Sequence, residues 1–62
     1  MKLEVNLTEE QAENLEKHLL KYSFSLNDFE IIFVPSPVVI IRSKDAEKII
    51  KTFLKKEYKI KI

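Results

Sequence analysis

The sequence predicts an α+β sandwich of element order β-α-β-β-α-β, with a four-stranded antiparallel sheet carrying two helices on one face. Three observations carry that prediction. Residues 29–34 and 38–42 are β-branched and aromatic runs split by Pro35-Ser36-Pro37, the pattern of a β-hairpin. Residues 2–7 and 58–62 alternate apolar with polar side chains, as half-buried strands do. Between these runs lie two stretches with apolar residues at helical spacing, each introduced by a capping residue.

In the first strand, 2–7, Leu3, Val5 and Leu7 oppose Lys2, Glu4 and Asn6. Thr8 is a helix N-cap, and Gln11, three residues on, completes a capping box. Glu9 and Glu10 favour the positive end of the helix dipole. The helix spans 9–21, with Ala12, Leu15, Leu19 and Tyr22 on its apolar stripe and Leu20 off it. Residues 23–28 read as an irregular connection that tucks Phe24 and Leu26 under the helix. A short extra strand turning at Asn27-Asp28 is the alternative. After the hairpin, Ser43 caps a second helix over 44–56, with Ala46, Ile49, Ile50, Phe53 and Leu54 buried. The last strand, 58–62, lies beside the first. The strand order 4-1-3-2 is the ferredoxin-like arrangement.

The hairpin register follows from pairing Val34 with Val38. Ile32 then faces Ile40, and Glu30 faces Arg42, an acid opposite a base. Alternation puts Phe29, Ile31, Phe33, Val39 and Ile41 on the core side and leaves Ile32, Val34, Val38 and Ile40 on the outer face. A loop confined to Pro-Ser-Pro is disfavoured, because its third residue wants left-handed geometry and proline has φ locked negative. The expected loop is wider, with the same parity beyond it.

At 62 residues the chain is one small domain, 1–62, that buries only about 60% of its unfolded surface. It has little apolar surface to leave unused. Cysteine is absent, which excludes a disulfide framework and thiol chemistry. No apolar run reaches the length of a transmembrane helix, and no signal peptide is evident, so a cytoplasmic location is expected. Glycine is absent and Lys, Glu and Ile are abundant, a bias resembling that of proteins from thermophiles and also favoured by AT-rich genomes. Charge is lopsided. Residues 1–34 carry three lysines against seven acids, and residues 35–62 carry eight bases against three acids.

No residues form a catalytic or metal-binding constellation, and no cofactor is expected. His18, the single histidine, lacks a nucleophile, an orienting acid or partner ligands at a recognisable spacing, and reads as an aromatic partner of Tyr22. Arg42, Ser43 and Lys44 lead into a helix N-terminus, yet Asp45 already satisfies its dipole and no glycine-rich phosphate loop is present. Lys44, Lys48, Lys51 and Lys55 make one stripe of the second helix, and Lys59 and Lys61 add charge on the last strand. A solvated helix face explains that stripe most simply. Ten lysines against one arginine point to non-specific phosphate contact at most, since arginine is the usual reader of bases.

Three resemblances are partial. Lys2-Leu3-Glu4-Val5-Asn6-Leu7-Thr8-Glu9-Glu10 resembles the strand-and-helix opening of ribbon-helix-helix proteins, which implies DNA binding. It covers about a third of the chain and departs where the hairpin replaces a second helix. The element order is similar to that of an RNA-recognition motif, which implies base stacking on sheet aromatics. Here the first strand turns Lys2, Glu4 and Asn6 outward instead. The order is also similar to ACT-type regulatory domains, which implies assembly through sheets and amino-acid binding, but their glycine-containing ligand turn has no counterpart.

The expected function is non-enzymatic: self-association as a homodimer, or docking of a protein partner, through Glu30, Ile32, Val34, Val38, Ile40 and Arg42 and the neighbouring strand edge. The alternative is sequence-independent nucleic-acid binding through Lys44, Lys48, Lys51, Lys55, Lys59 and Lys61.

Overall fold

The computed structural model describes residues 3–61, with Leu3 described through its backbone alone. The order is β1 (Leu3–Asn6), α1 (Glu9–Leu19), β2 (Phe29–Ile32), β3 (Val38–Ile41) and α2 (Lys44–Tyr58). This is an α+β fold of two helices and a three-stranded antiparallel sheet in the order β1-β3-β2. β3 is therefore central. Among the described residues no helix is long and apolar enough to cross a membrane.

The capping chemistry sets both helix starts. Thr8 Oγ1 accepts from the Gln11 N–H at 3.1 Å, and the Gln11 side-chain oxygen accepts from the Thr8 N–H at 3.0 Å, closing the capping box. Ser43 Oγ accepts from the Ala46 N–H at 3.1 Å. Both helices lie on one side of the sheet. Ala12, Leu15 and Leu19 from α1 and Ala46, Ile50 and Leu54 from α2 pack with Val5, Val39 and Ile41 from the strands.

The fourth strand expected over 58–62 does not form among the described residues. Helix α2 continues through Tyr58, and Lys59 turns left-handed at φ 55°, donating its N–H to the Leu54 and Lys55 carbonyls. Ile60 folds back, its N–H reaching the Leu54 carbonyl at 3.3 Å, and packs against the core. The alternation of Tyr58-Lys59-Ile60-Lys61 thus reflects a helix end and its return. Lys2 and Ile62, the outer ends of the two expected terminal strands, lie outside the described residues. In place of the order 4-1-3-2, the sheet holds the 1-3-2 part.

Residues 23–28 are an irregular connection, as expected, but they hold their side chains differently. Phe24 packs on the core, whereas Leu26 stays 70% exposed. Leu20 is exposed too. Ser25 and Asp28 organise the segment. The Asp28 carboxylate accepts from the Ser25 N–H at 3.0 Å, and the Ser25 carbonyl accepts from the Asp28 and Phe29 N–H groups at 2.9 and 3.2 Å. That tight turn is closed by its own polar groups, which leaves Leu26 nothing to tuck beneath.

Candidate functional site

The hairpin register differs from the expected one by two residues. Glu30 pairs with Ile40 and Ile32 with Val38. The expected pairs Glu30–Arg42, Ile32–Ile40 and Val34–Val38 do not form as direct cross-strand partners. Two local causes act together. Pro35 and Pro37 bring no N–H to a ladder, so the loop widens to residues 33–37 and Ile32 and Val38 become the closing pair. At the far end, the Asp28 carbonyl accepts the N–H groups of both Arg42 and Ser43, at 2.8 and 3.1 Å, which sets Arg42 opposite Asp28.

A two-residue shift preserves the side-chain parity, so the faces stand as expected. Val39 and Ile41 are buried beneath the helices, and Phe29, Ile31 and Phe33 pack against the same core. Glu30, Ile32, Val38, Ile40 and Arg42 lie on the opposite face, which no element among the described residues covers. The acid–base contact survives in another form. Arg42 reaches along the strand so that its Nη2 donates to Glu30 Oε1 at 2.9 Å, while Nη1 donates to the Leu26 carbonyl at 2.8 Å.

Exposure on that face is graded. Val34 in the loop is 79% exposed and Ile32 36%, Val38 is half-buried, and Ile40 is only 7% exposed. Ile40 departs from the expected exposed quartet. It sits at the centre of the sheet with Glu4 and Glu30 directly on either side, and the Arg42 side chain crosses toward Glu30 nearby. The stems of such long polar side chains shield apolar surface while their charged ends stay in water. The apolar patch is thus Ile32, Val34 and Val38, at the loop end, while Glu4 and Asn6 keep the β1 side polar.

β2 is an edge strand among the described residues. Along that edge a groove of about 470 Å³ is lined by Phe24, Phe29 and Ile31 with Glu16, Leu26 and Glu30 around it. Sequence reasoning did not find the Arg42–Leu26 tether or the Asp28 hub. The Ser25-x-x-Asp28 spacing, which is that of a reciprocal cap, was the available signal. The Asp28 carboxyl is held below the ordinary aspartate range, chiefly by the Ser25 N–H and then by a hydrogen bond from the Ser43 side chain.

The lysine stripe is less uniformly basic than its spacing implies. Lys44, Lys48 and Lys55 are exposed, but Lys51 Nζ pairs with Glu47 at 2.7 Å. The hydrogen bond from Lys51, then its charge, holds the Glu47 carboxyl below its usual range. Lys59 and Lys61 stand beyond the helix rather than on a strand. His18 meets Tyr22 edge-on with ring centroids 5.7 Å apart, as expected, and it also stacks on Phe53 at 4.4 Å. Its second partner comes from the other helix, which sequence spacing could not reveal. Among the described residues no cluster of three or more His, Cys, Asp or Glu side chains is placed to hold a metal ion. No protein-family model matches the chain, no curated protein matches it, and no solved structure matches it.

Proposed function

We propose that this chain is a non-enzymatic assembly module that self-associates through the outer face and edge of its hairpin. Its plan is read as ferredoxin-like without the fourth strand beside β1. One observation carries the functional reading: Ile32 and Val38 lie on a sheet face that no described element covers, beside the edge of β2 that is open among the described residues, with Val34 exposed in the adjoining loop. Fully burying an Ile or Val contributes roughly 1.5–3 kcal/mol, and Val34 has most of that still to gain. The edge is short and carries one charge, Glu30, which is paired with Arg42; it has no lysine or proline within Phe29–Ile32 to oppose strand docking. A second copy is the occupant that such a self-complementary patch and edge fit best. The lysine stripe supports the nucleic-acid alternative less, because Lys51 is already neutralised by Glu47.

Light scattering over a concentration series tests the proposal. The wild type should have the mass of a dimer, and Ile32→Lys with Val34→Lys should give a folded monomer. A wild type that is monomeric at high concentration, with a melting point independent of concentration, overturns it.

A further inference from the structure

We infer that two copies join by antiparallel pairing of β2 with β2 about a two-fold axis at Ile32, so that Ile31 of each copy bonds with Phe33 of the other. This rests on the self-association reading and specifies its contact.

The free edge is short. Alternation along the β2–β3 ladder, fixed by the Arg42 N–H donating to the Asp28 carbonyl, turns the backbone groups of residues 29, 31 and 33 away from β3. Ser25 already occupies the first of these positions, its carbonyl accepting from the Phe29 N–H at 3.2 Å. Among the described residues, the groups left without a partner are therefore those of Ile31 and Phe33. Past Phe33 the strand bends away through the loop.

Four symmetric registers place these groups near their copies. An axis at Phe33 sets Ile31 opposite Pro35 of the other copy, which has no N–H to donate. An axis at Glu30 sets that carboxylate against itself, which is unfavourable for directly opposed like charges. An axis at Ile31 needs Phe29 to pair with Phe33 of the other copy, where the Phe29 N–H is taken and the Ser25 segment stands in the way. An axis at Ile32 requires none of these. It uses the N–H and C=O of Ile31 and Phe33 in four reciprocal hydrogen bonds, and the partner loop turns off before reaching Ser25.

Side chains agree with that choice on both faces. On the outer face, Ile32 meets Ile32, and with Val38 beside each it makes one apolar row across the joined sheets. On the helix side, the half-buried Ile31 and Phe33 face one another. Glu30 keeps its Arg42 partner and meets no second acid.

Amide hydrogen exchange, read residue by residue on the wild type, tests the pairing. Concentration into the dimer range should slow exchange at Ile31 and Phe33 by about tenfold or more. Glu4 and Asn6, whose amides alternate outward on the opposite edge, should be unaffected. The register has its own test, made clean by the absence of cysteine. Directly opposed residues of a non-hydrogen-bonded antiparallel pair lie about 4.5 Å apart at Cα, within disulfide reach. Ile32→Cys should cross-link under mild oxidation faster than Glu30→Cys or Ile31→Cys. A dimer whose Ile31 and Phe33 amides still exchange fast overturns edge pairing and leaves self-association standing. Faster cross-linking at residue 30 or 31 overturns the register. A monomer at all concentrations overturns both readings.

Discussion

Glu30 and Arg42 form an ion pair of 2.9 Å although they do not face each other across the hairpin; Ile40 holds the place directly opposite Glu30. The contact is diagonal, and Arg42 is drawn along the strand to make it. The same guanidinium also holds the Leu26 carbonyl, so one side chain ties the 25–28 turn to the acid on β2. Both members of the pair are about one-third exposed, which limits what the pair contributes.

That geometry predicts an asymmetric pair of mutants. A double-mutant cycle on Glu30 and Arg42 should return a coupling of about 0.2–1 kcal/mol. Arg42→Ala should cost more than Glu30→Ala, by about 1 kcal/mol, because it also frees the Leu26 carbonyl. Urea denaturation of the four proteins checks both figures. Equal single-mutant costs would remove the tether to Leu26 from the account.

Ile40 and Ile32 belong to the same face but to different environments. Ile40→Ala should cost about 2–5 kcal/mol, as a buried large-to-small change does. Ile32→Ala should cost far less in the monomer, because a third of the side chain is already exposed. Denaturation at a concentration low enough to suppress association makes the comparison. Similar losses at the two positions would contradict the graded exposure of this face.

The Asp28 carboxyl is held below its ordinary value of 3.8 by accepting hydrogen bonds, first from the Ser25 N–H. Its folded value is thus lower than its unfolded one, and the unfolded chain binds the extra proton. The associated stability is complete above the unfolded value and is lost as pH falls through the folded one. Asp28→Asn should therefore lower the melting temperature near neutral pH. The gap between variant and wild type should close in strong acid. Thermal melts at both pH values, compared as differences, separate Asp28 from Glu47, whose carboxyl is lowered in the same direction. A gap that stays constant with pH would show that Asp28 acts through shape and not charge.

The hairpin shows how far local sequence reaches. Its faces were legible because Glu30 and Arg42 mark one face of two otherwise apolar runs, and because parity survives any even shift. Its register was not. It depends on the width of the Pro35–Pro37 loop and on the Asp28 carbonyl, two influences from outside the strands. The exposure of the candidate patch was half legible: Ile32 follows from parity, whereas Val34 is exposed because it lies in the loop, and the shielding of Ile40 needs Glu4 from a strand far away in sequence. The lysine stripe was legible as spacing, but the same helix carries Glu47 one turn before Lys51 and so pairs one of its cations. The two helix starts, the Thr8 capping box and the Ser43 N-cap, were legible because they are local. The helix end was misread for the opposite reason, since a polar–apolar alternation serves a strand and a helix return equally well.

That helix end gives the last prediction. Lys59 ends α2 in the left-handed region at φ 55° and ψ 33°, where a residue with a Cβ pays a steric penalty. Glycine is the usual occupant of such a position, and this chain contains none. The cap is nevertheless well bonded, through the Lys59 N–H to Leu54 and Lys55 and the Ile60 N–H to Leu54. Lys59→Gly should therefore keep the cap and remove the penalty. It should raise stability by about 1 kcal/mol at most, because glycine also gives the unfolded chain more freedom. Lys59→Val should do the reverse, as a β-branched side chain is the least tolerant of positive φ. Chemical denaturation of both variants measures the difference. If residues 58–62 formed a strand instead, the ranking would invert, with valine favoured and glycine the destabilising choice.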